Sequence, residues 1–89
     1  MPEKSSSYVY ILLCSDGTYY TGYTTDVNRR VKEHNNHKGA KYTRGRTPCR
    51  LVYKEACKNK SEALSREYEI KKMSRKKKEQ LIQKMKKGD

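Results

Sequence analysis

Tyr8-Val9-Tyr10-Ile11-Leu12-Leu13-Cys14-Ser15-Asp16-Gly17-Thr18-Tyr19-Tyr20-Thr21-Gly22 is the stretch that decides the fold. Two runs rich in Tyr, Val, Ile, Leu and Thr suit a pleated, half-buried surface, and the Ser-Asp-Gly between them can turn because glycine tolerates positive φ. The stretch reads as a β-hairpin. Its register decides which side chains meet. A two-residue Asp16-Gly17 turn pairs Ser15 with Thr18 and sends Tyr10 and Tyr20 to opposite faces. A three-residue Ser15-Asp16-Gly17 loop, with Gly17 in the left-handed position of a bulge, pairs Cys14 with Thr18 instead. Tyr20 then stands opposite Leu12, on the face that carries Tyr10. Glycine is third in that loop, where this geometry wants it, so the second register is the expected one.

The 89 residues make one domain with a thin core, because so short a chain buries only a modest share of its unfolded surface. Hydrophobic residues are 33% of the chain and neither Trp nor Phe occurs, so eight tyrosines must supply the aromatic packing. A core tyrosine is therefore ordinary, and a catalytic one has to be argued for. Twenty-two Lys and Arg against ten Asp and Glu give a net charge of +12, a field that attracts polyanions. Nucleic acid is the leading partner class. A membrane surface would call for a basic helix with a bulky apolar face, and none of the helices read below has one. Cys14, Cys49 and Cys57 form no C-x-x-C pair, and their odd number without a signal peptide points to reduced intracellular thiols packed as small apolar residues. No stretch approaches the length of a membrane span. Residues 1–7 read as a disordered lead-in, and a cytoplasmic location is expected.

Beyond the hairpin, Thr25 or Asp26 caps a helix over about 26–36 anchored by Val27 and Val31. Arg30 and His34 follow those anchors by three residues each, so a permanent cation and a titratable imidazole share the helix's inward side. Residues 35–48 hold two glycines, one proline and no apolar period, and read as a long loop. No acidic residue lies between Glu33 and Glu55, whereas Lys38, Lys41, Arg44, Arg46 and Arg50 do. Such a one-sided loop suits gripping phosphates, with Tyr42 available to stack on a base or sugar; the plainer alternative is a solvated basic loop. Arg50–Cys57 reads as a third strand with Leu51 and Tyr53 on one face, and Val52 and Ala56 nearer the other. Asn59-Lys60-Ser61-Glu62 resembles a capping box opening a helix to about Met73, with Ala63, Leu64 and Ile70 as its buried stripe. Glu67 falls within that stripe, where a carboxylate is costly unless it is paired or binds a metal. Glu69 faces solvent. Ser74 caps a last, basic helix over 75–87 anchored by Leu81, Ile82 and Met85. Its opening run of cations sits where the helix dipole disfavours them.

In order, these pieces are Tyr8-Val9-Tyr10, Tyr20-Thr21-Gly22, Arg30-x-x-x-His34 and Ala63-Leu64-x-x-Glu67. As a spaced set they resemble the GIY-YIG endonuclease superfamily over about residues 8–74. The likeness is strongest to small stand-alone GIY-YIG domain proteins. Through Gly39-Ala40-Lys41-Tyr42-Thr43-Arg44-Gly45-Arg46 it extends to the catalytic subunit of structure-specific endonucleases. Tyr8 and Val9 stand where the first motif has Gly and Ile, Thr21 where the second has Ile, and no Asn follows Asn59 to match one found in some members. The resemblance implies an α/β (α+β) fold, a small three-stranded antiparallel sheet flanked by helices; with the basic C-terminal helix and tail read over residues 75–89, the order is β-β-α-β-α-α. It implies hydrolysis of nucleic-acid phosphodiesters, DNA above all, with Mg²⁺ or Mn²⁺. By position it assigns Tyr10, Tyr20, Arg30, His34 and Glu67 to catalysis, with Glu67 as the metal ligand. Lys38, Lys41, Tyr42, Arg44 and Arg46 remain the expected nucleic-acid contacts, and there is room for a protein partner that supplies targeting.

The residue chemistry agrees with that assignment. Phosphodiester cleavage needs a nucleophilic water, an acceptor for its proton and positive charge for the developing anion. Mg²⁺ keeps several waters and often takes only one or two protein carboxylates, so one inward Glu67 suffices. Arg30 presents a permanent fork to phosphate oxygens. A tyrosine with pKa near ~10 is a poor base, so Tyr10 needs the metal, Arg30 or Lys41 nearby, with His34 able to relay the proton and Tyr20 to hold the water or phosphate. Which tyrosine is the base stays open at this level. Two other classes compete: a non-catalytic DNA- or RNA-binding module on the same scaffold, and a basic adaptor on a ribosome or protein. Binding alone needs cations but no inward carboxylate.

Overall fold

The computed structural model describes residues 7–87. The strands are β1 (Ser7–Leu13), β2 (Tyr19–Thr24) and β3 (Arg50–Cys57), and the helices α1 (Val27–Asn35), α2 (Lys60–Lys71) and α3 (Arg75–Lys87), with a 3-10 turn at Lys41–Thr43. All strand pairs are antiparallel and β1 is central, in the order β2-β1-β3. This is the expected mixed fold in the expected order. Ser7, expected in the lead-in, instead pairs with Cys57 and is buried, and the rest of that expectation, residues 1–6, lies outside the described residues.

The hairpin takes the three-residue register. Leu12 stands opposite Tyr20, Cys14 N donates to Thr18 O at 2.8 Å, and Gly17 has φ of 85°, the left-handed value that the loop requires. Tyr10 and Tyr20 therefore share a face. That face also holds Leu12, Cys14 and Cys49, covered by Val31 of α1 and by Leu51. The opposite face, Val9 and Ile11, packs with Cys57 and with Ala63, Ile70 and Ile82 of α2 and α3. Each fully buried aliphatic side chain contributes roughly 1.5–3 kcal/mol, so β1, buried on both sides, anchors two thin cores at once. Cys14, Cys49 and Cys57 are free and buried.

Two expectations about faces are corrected. Ile11 pairs with Tyr53 but Leu12 pairs with Leu51, so Val52 is an extra residue and β3 bulges there. Leu51 consequently joins the Tyr10 face while Tyr53 lies on the other. On α2, Ala63 and Ile70 are fully buried but Leu64 is 44% exposed. At about 100° per residue, Leu64 lies roughly 100° from the Ala63–Ile70 line, whereas Glu67 lies only some 40–60° from it. The carboxylate, not the leucine, faces inward.

The caps follow the sequence closely. Asp26 Oδ1 accepts from Arg29 N at 3.1 Å, Asn59 Oδ1 from Glu62 N at 2.8 Å, and Ser74 Oγ from Lys77 N at 3.2 Å. Glu62 reaches past the cap residue to the Lys58 amide at 2.7 Å. Arg75, at the cation-rich start of α3, has its own partners: it donates to Gly17 O at 2.9 Å, pairs with Glu79 at 3.1 Å and lies 4.6 Å over the Tyr19 ring. The last helix is thus clasped to the hairpin tip. Among the described residues no helix is long and apolar enough to cross a membrane.

Candidate active site

Three elements meet over the Tyr10 face of the sheet. β1 supplies Tyr10, β2 supplies Tyr20, and α1 crosses them so that its inward side delivers His34, which is fully buried. His34 Nε2 lies 2.9 Å from the Tyr10 hydroxyl and Nδ1 lies 2.8 Å from Thr43 Oγ1. The Tyr20 ring centroid is 5.2 Å from that of His34 and 6.4 Å from that of Tyr10. Two glycines make the room. Opposite Tyr10, a Cβ on Gly22 would stand 2.5 Å from the Tyr10 hydroxyl, and one on Gly39 would enter the His34 ring.

Burial pushes the Tyr10 phenol up to about 12, with Arg30 pulling the other way and the charges of Tyr20 and Glu67 adding to the rise. Burial, reinforced by the Arg30 charge and opposed by Glu33, pushes His34 below its ordinary 6.5. Near neutral pH the pair is a neutral phenol against a neutral imidazole. Arg30 Nη1 donates to Glu33 Oε1 at 2.8 Å, which holds the guanidinium at the site's edge and pulls the Glu33 carboxyl below its usual range. Glu67 is 17% exposed at its side chain and pairs with Lys71 Nζ at 2.9 Å, so its ion-pair partner is Lys71 and that of Arg30 is Glu33.

Among the described residues no three His, Cys, Asp or Glu side chains gather into a metal cage. Mg²⁺ or Mn²⁺ held mainly by water and substrate oxygens needs none, and the half-shielded Glu67 carboxylate fits as its single protein ligand. Both nitrogens of His34 are already engaged, which leaves carboxylate oxygen as the donor type on offer.

The basic loop closes over the same side. Asn35, next to His34, accepts from Cys49 N at 2.7 Å and donates to Cys49 O at 2.9 Å, clamping the loop's end to α1. Lys38, Lys41, Tyr42 and Arg44 are exposed. Tyr42 stacks on Tyr20 with centroids 5.7 Å apart. Arg46 is more engaged: it pairs with Asp16 at 3.0 Å, donates to Tyr42 O at 2.8 Å and lies 4.1 Å over the Tyr42 ring. The structure thus brings Tyr10, Tyr20, His34 and Tyr42 into contact, sets Arg30 and Glu67 close enough for their charges to act on Tyr10, and leaves Lys38, Lys41 and Arg44 on the loop's surface. Sequence reasoning missed Thr43, Gly39 and Asn35. Their contacts depend on the path of a loop without periodicity, and only the two glycines of that loop gave a local signal.

A family model described as the GIY-YIG catalytic domain matches residues 6–80. A UPF0213 protein of Halobacterium salinarum is 65% identical over 75 residues, covering 84% of this chain and 97% of that protein. One from Staphylococcus aureus strain Mu50 is 60% identical over 77 residues, covering 86% of this chain and 94% of that protein. Among solved structures, the UPF0213 protein of Bacillus halodurans superposes with a TM-score of 0.56 at 62% identity, covering 86% of this chain and 82% of that one. A protein of E. faecalis reaches a TM-score of 0.64 at 43% identity, covering 100% and 95% of the two chains. With the tyrosine-bearing hairpin, the arginine and histidine of α1 and the glutamate of α2 in place, the chain belongs to the GIY-YIG family, within its UPF0213 group.

Proposed function

We propose that this protein is a metal-dependent endonuclease that hydrolyses phosphodiester bonds in DNA, with branched or flapped forms as its preferred substrates. The observation that carries the reading is the buried Tyr10–His34 hydrogen bond, 2.9 Å long, with the charges of Arg30 and Glu67 acting on its phenol. A surface that only binds DNA needs cations, and has no use for a buried acid–base pair beside an inward carboxylate.

Glu67 would hold Mg²⁺ or Mn²⁺, which would supply positive charge to an attacking water and to the phosphate. Arg30 offers its fork to the phosphate oxygens. As water attacks phosphorus and the bond to the leaving oxygen breaks, Tyr10 passes its proton to His34 and accepts one from the attacking water. Solvent protonates the leaving oxygen, and Tyr20, nearer solvent, orients the attacking water. At rest the transfer is disfavoured, since burial pushes the phenol up to about 12 and the imidazole below its ordinary range. Tyr10 and His34 are accordingly silent at rest, and a divalent cation held by Glu67 would add the positive charge that favours the phenolate. The exposed Lys38, Lys41 and Arg44 hold the flanking phosphates, Tyr42 meets a base or sugar, and Arg46 keeps the loop seated. The three free thiols suit the reducing cytoplasm, and a protein partner supplies targeting.

The Lys71–Glu67 ion pair favours a second reading, a non-catalytic DNA- or RNA-binding module, because a neutralised carboxylate no longer repels phosphate. One experiment separates the two: labelled single strand, duplex, flap and four-way junction incubated at low salt with Mg²⁺, Mn²⁺ or EDTA. Metal-dependent products support the nuclease. Salt-sensitive binding to the whole panel without cleavage overturns it in favour of the module.

A further inference from the structure

Thr43 lies in the 3-10 turn of the basic loop and is fully buried against His34. A threonine hydroxyl has a single proton to donate and lone pairs to accept with. With that proton turned to Ala40 O, 3.0 Å away, Thr43 Oγ1 accepts from His34 Nδ1 at 2.8 Å. Nδ1 must then carry the imidazole hydrogen. A neutral imidazole has one donor and one acceptor nitrogen, so Nε2 has the lone pair, and the Tyr10 hydroxyl 2.9 Å away is the donor.

The reverse arrangement fails on Tyr10. Were Nε2 to carry the hydrogen, the Tyr10 proton would need another acceptor, and the hydroxyl has no other hydrogen-bond acceptor among the described residues of a side chain that is 1% exposed. Arg30, the cation beside it, can only donate. We infer that Thr43 is a positioning residue that fixes His34 in the Nδ1–H tautomer, leaving Nε2 to accept the proton of Tyr10. This deepens the proposed nuclease chemistry and rests on it for its catalytic consequence, whereas the tautomer itself is a property of the folded protein alone. It also gives the loop two tasks, since the segment bearing Lys41, Tyr42 and Arg44 sets the imidazole through Thr43.

The test is the ¹⁵N spectrum of the imidazoles in uniformly labelled full-length protein at pH 8, with His34 told apart from His37 by comparison with His37→Asn. The expected result is a protonated Nδ1 and an unprotonated Nε2 for His34. Thr43→Ser, which keeps the hydroxyl, retains this pattern, and Thr43→Val loses it. In cleavage assays Thr43→Val lowers kcat at least tenfold with DNA affinity unchanged, and Thr43→Ser restores most of the rate. A protonated Nε2 in the wild type, or the same tautomer in Thr43→Val as in wild type, overturns the inference. Absence of cleavage by wild type would instead strike the nuclease reading, leaving the tautomer standing on the spectrum.

Discussion

Gly22 shows how little room the site has. The Tyr10 ring lies across the position where any side chain at residue 22 would begin, 2.7 Å from its Cζ. Gly22→Ala should therefore cost about 1–3 kcal/mol through overpacking, read as a lower urea midpoint, and should weaken cleavage by shifting the phenol off His34. His34 sets a pH dependence of definite sign. Its pKa is lowered on folding by burial and by Arg30, so below about 6.5 the unfolded chain binds a proton that the folded one resists. Stability contributed by the neutral imidazole is full above that pH and falls as pH drops through it. Urea midpoints should decline from pH 7.5 to 5, and His34→Gln should flatten the decline. The inward placement of Tyr10, Tyr20, His34 and Glu67 was legible from strand and helix periods and the hairpin register, while their catalytic assignment, like that of Arg30, comes from the family resemblance. Thr43 was not, since nothing periodic connects it to a histidine nine residues earlier.

At the scale of elements, turn chemistry settled more than hydrophobic pattern did. One glycine in third place predicted the hairpin register, and with it the shared face of Tyr10 and Tyr20. Leu51-Val52-Tyr53, three apolar residues in a row, gave no sign of which was extra, and the bulge moved Leu51 to the opposite face. Leu64 departs from expectation for a related reason: in a helix with so few apolar residues identity is a poor guide to burial, and the angle from the Ala63–Ile70 line decides it. The basic loop is held by Asn35 at one end and by Arg46 on the hairpin tip. Asn35→Ala removes both bonds to Cys49 and leaves that buried amide unpaired, for a loss of about 1–3 kcal/mol. Hydrogen exchange at Cys49 should quicken accordingly, with slower exchange in β1 largely preserved.

For the molecule as a whole, a net charge of +12 creates a field that attracts polyanions, and on the nuclease reading the basic loop directs that attraction to the substrate. Lys41 and Arg44 are exposed on the loop. Replacing both with Ala should lower the slope of log affinity against log salt by roughly 2 on duplex DNA, about 0.9 per lost phosphate contact. The same pair of changes should leave thermal stability nearly unaltered. On the nuclease reading, catalysis rather than binding depends on Glu67, the one carboxylate of α2 that is largely shielded, at 17% side-chain exposure. The most direct measurement is Glu67→Ala beside wild type on a labelled flap substrate with Mg²⁺, cleavage and binding read from the same samples. The nuclease account predicts product from wild type alone, with the variant folded and bound at least as tightly. A folded Glu67→Ala that cleaves as fast as wild type would contradict it.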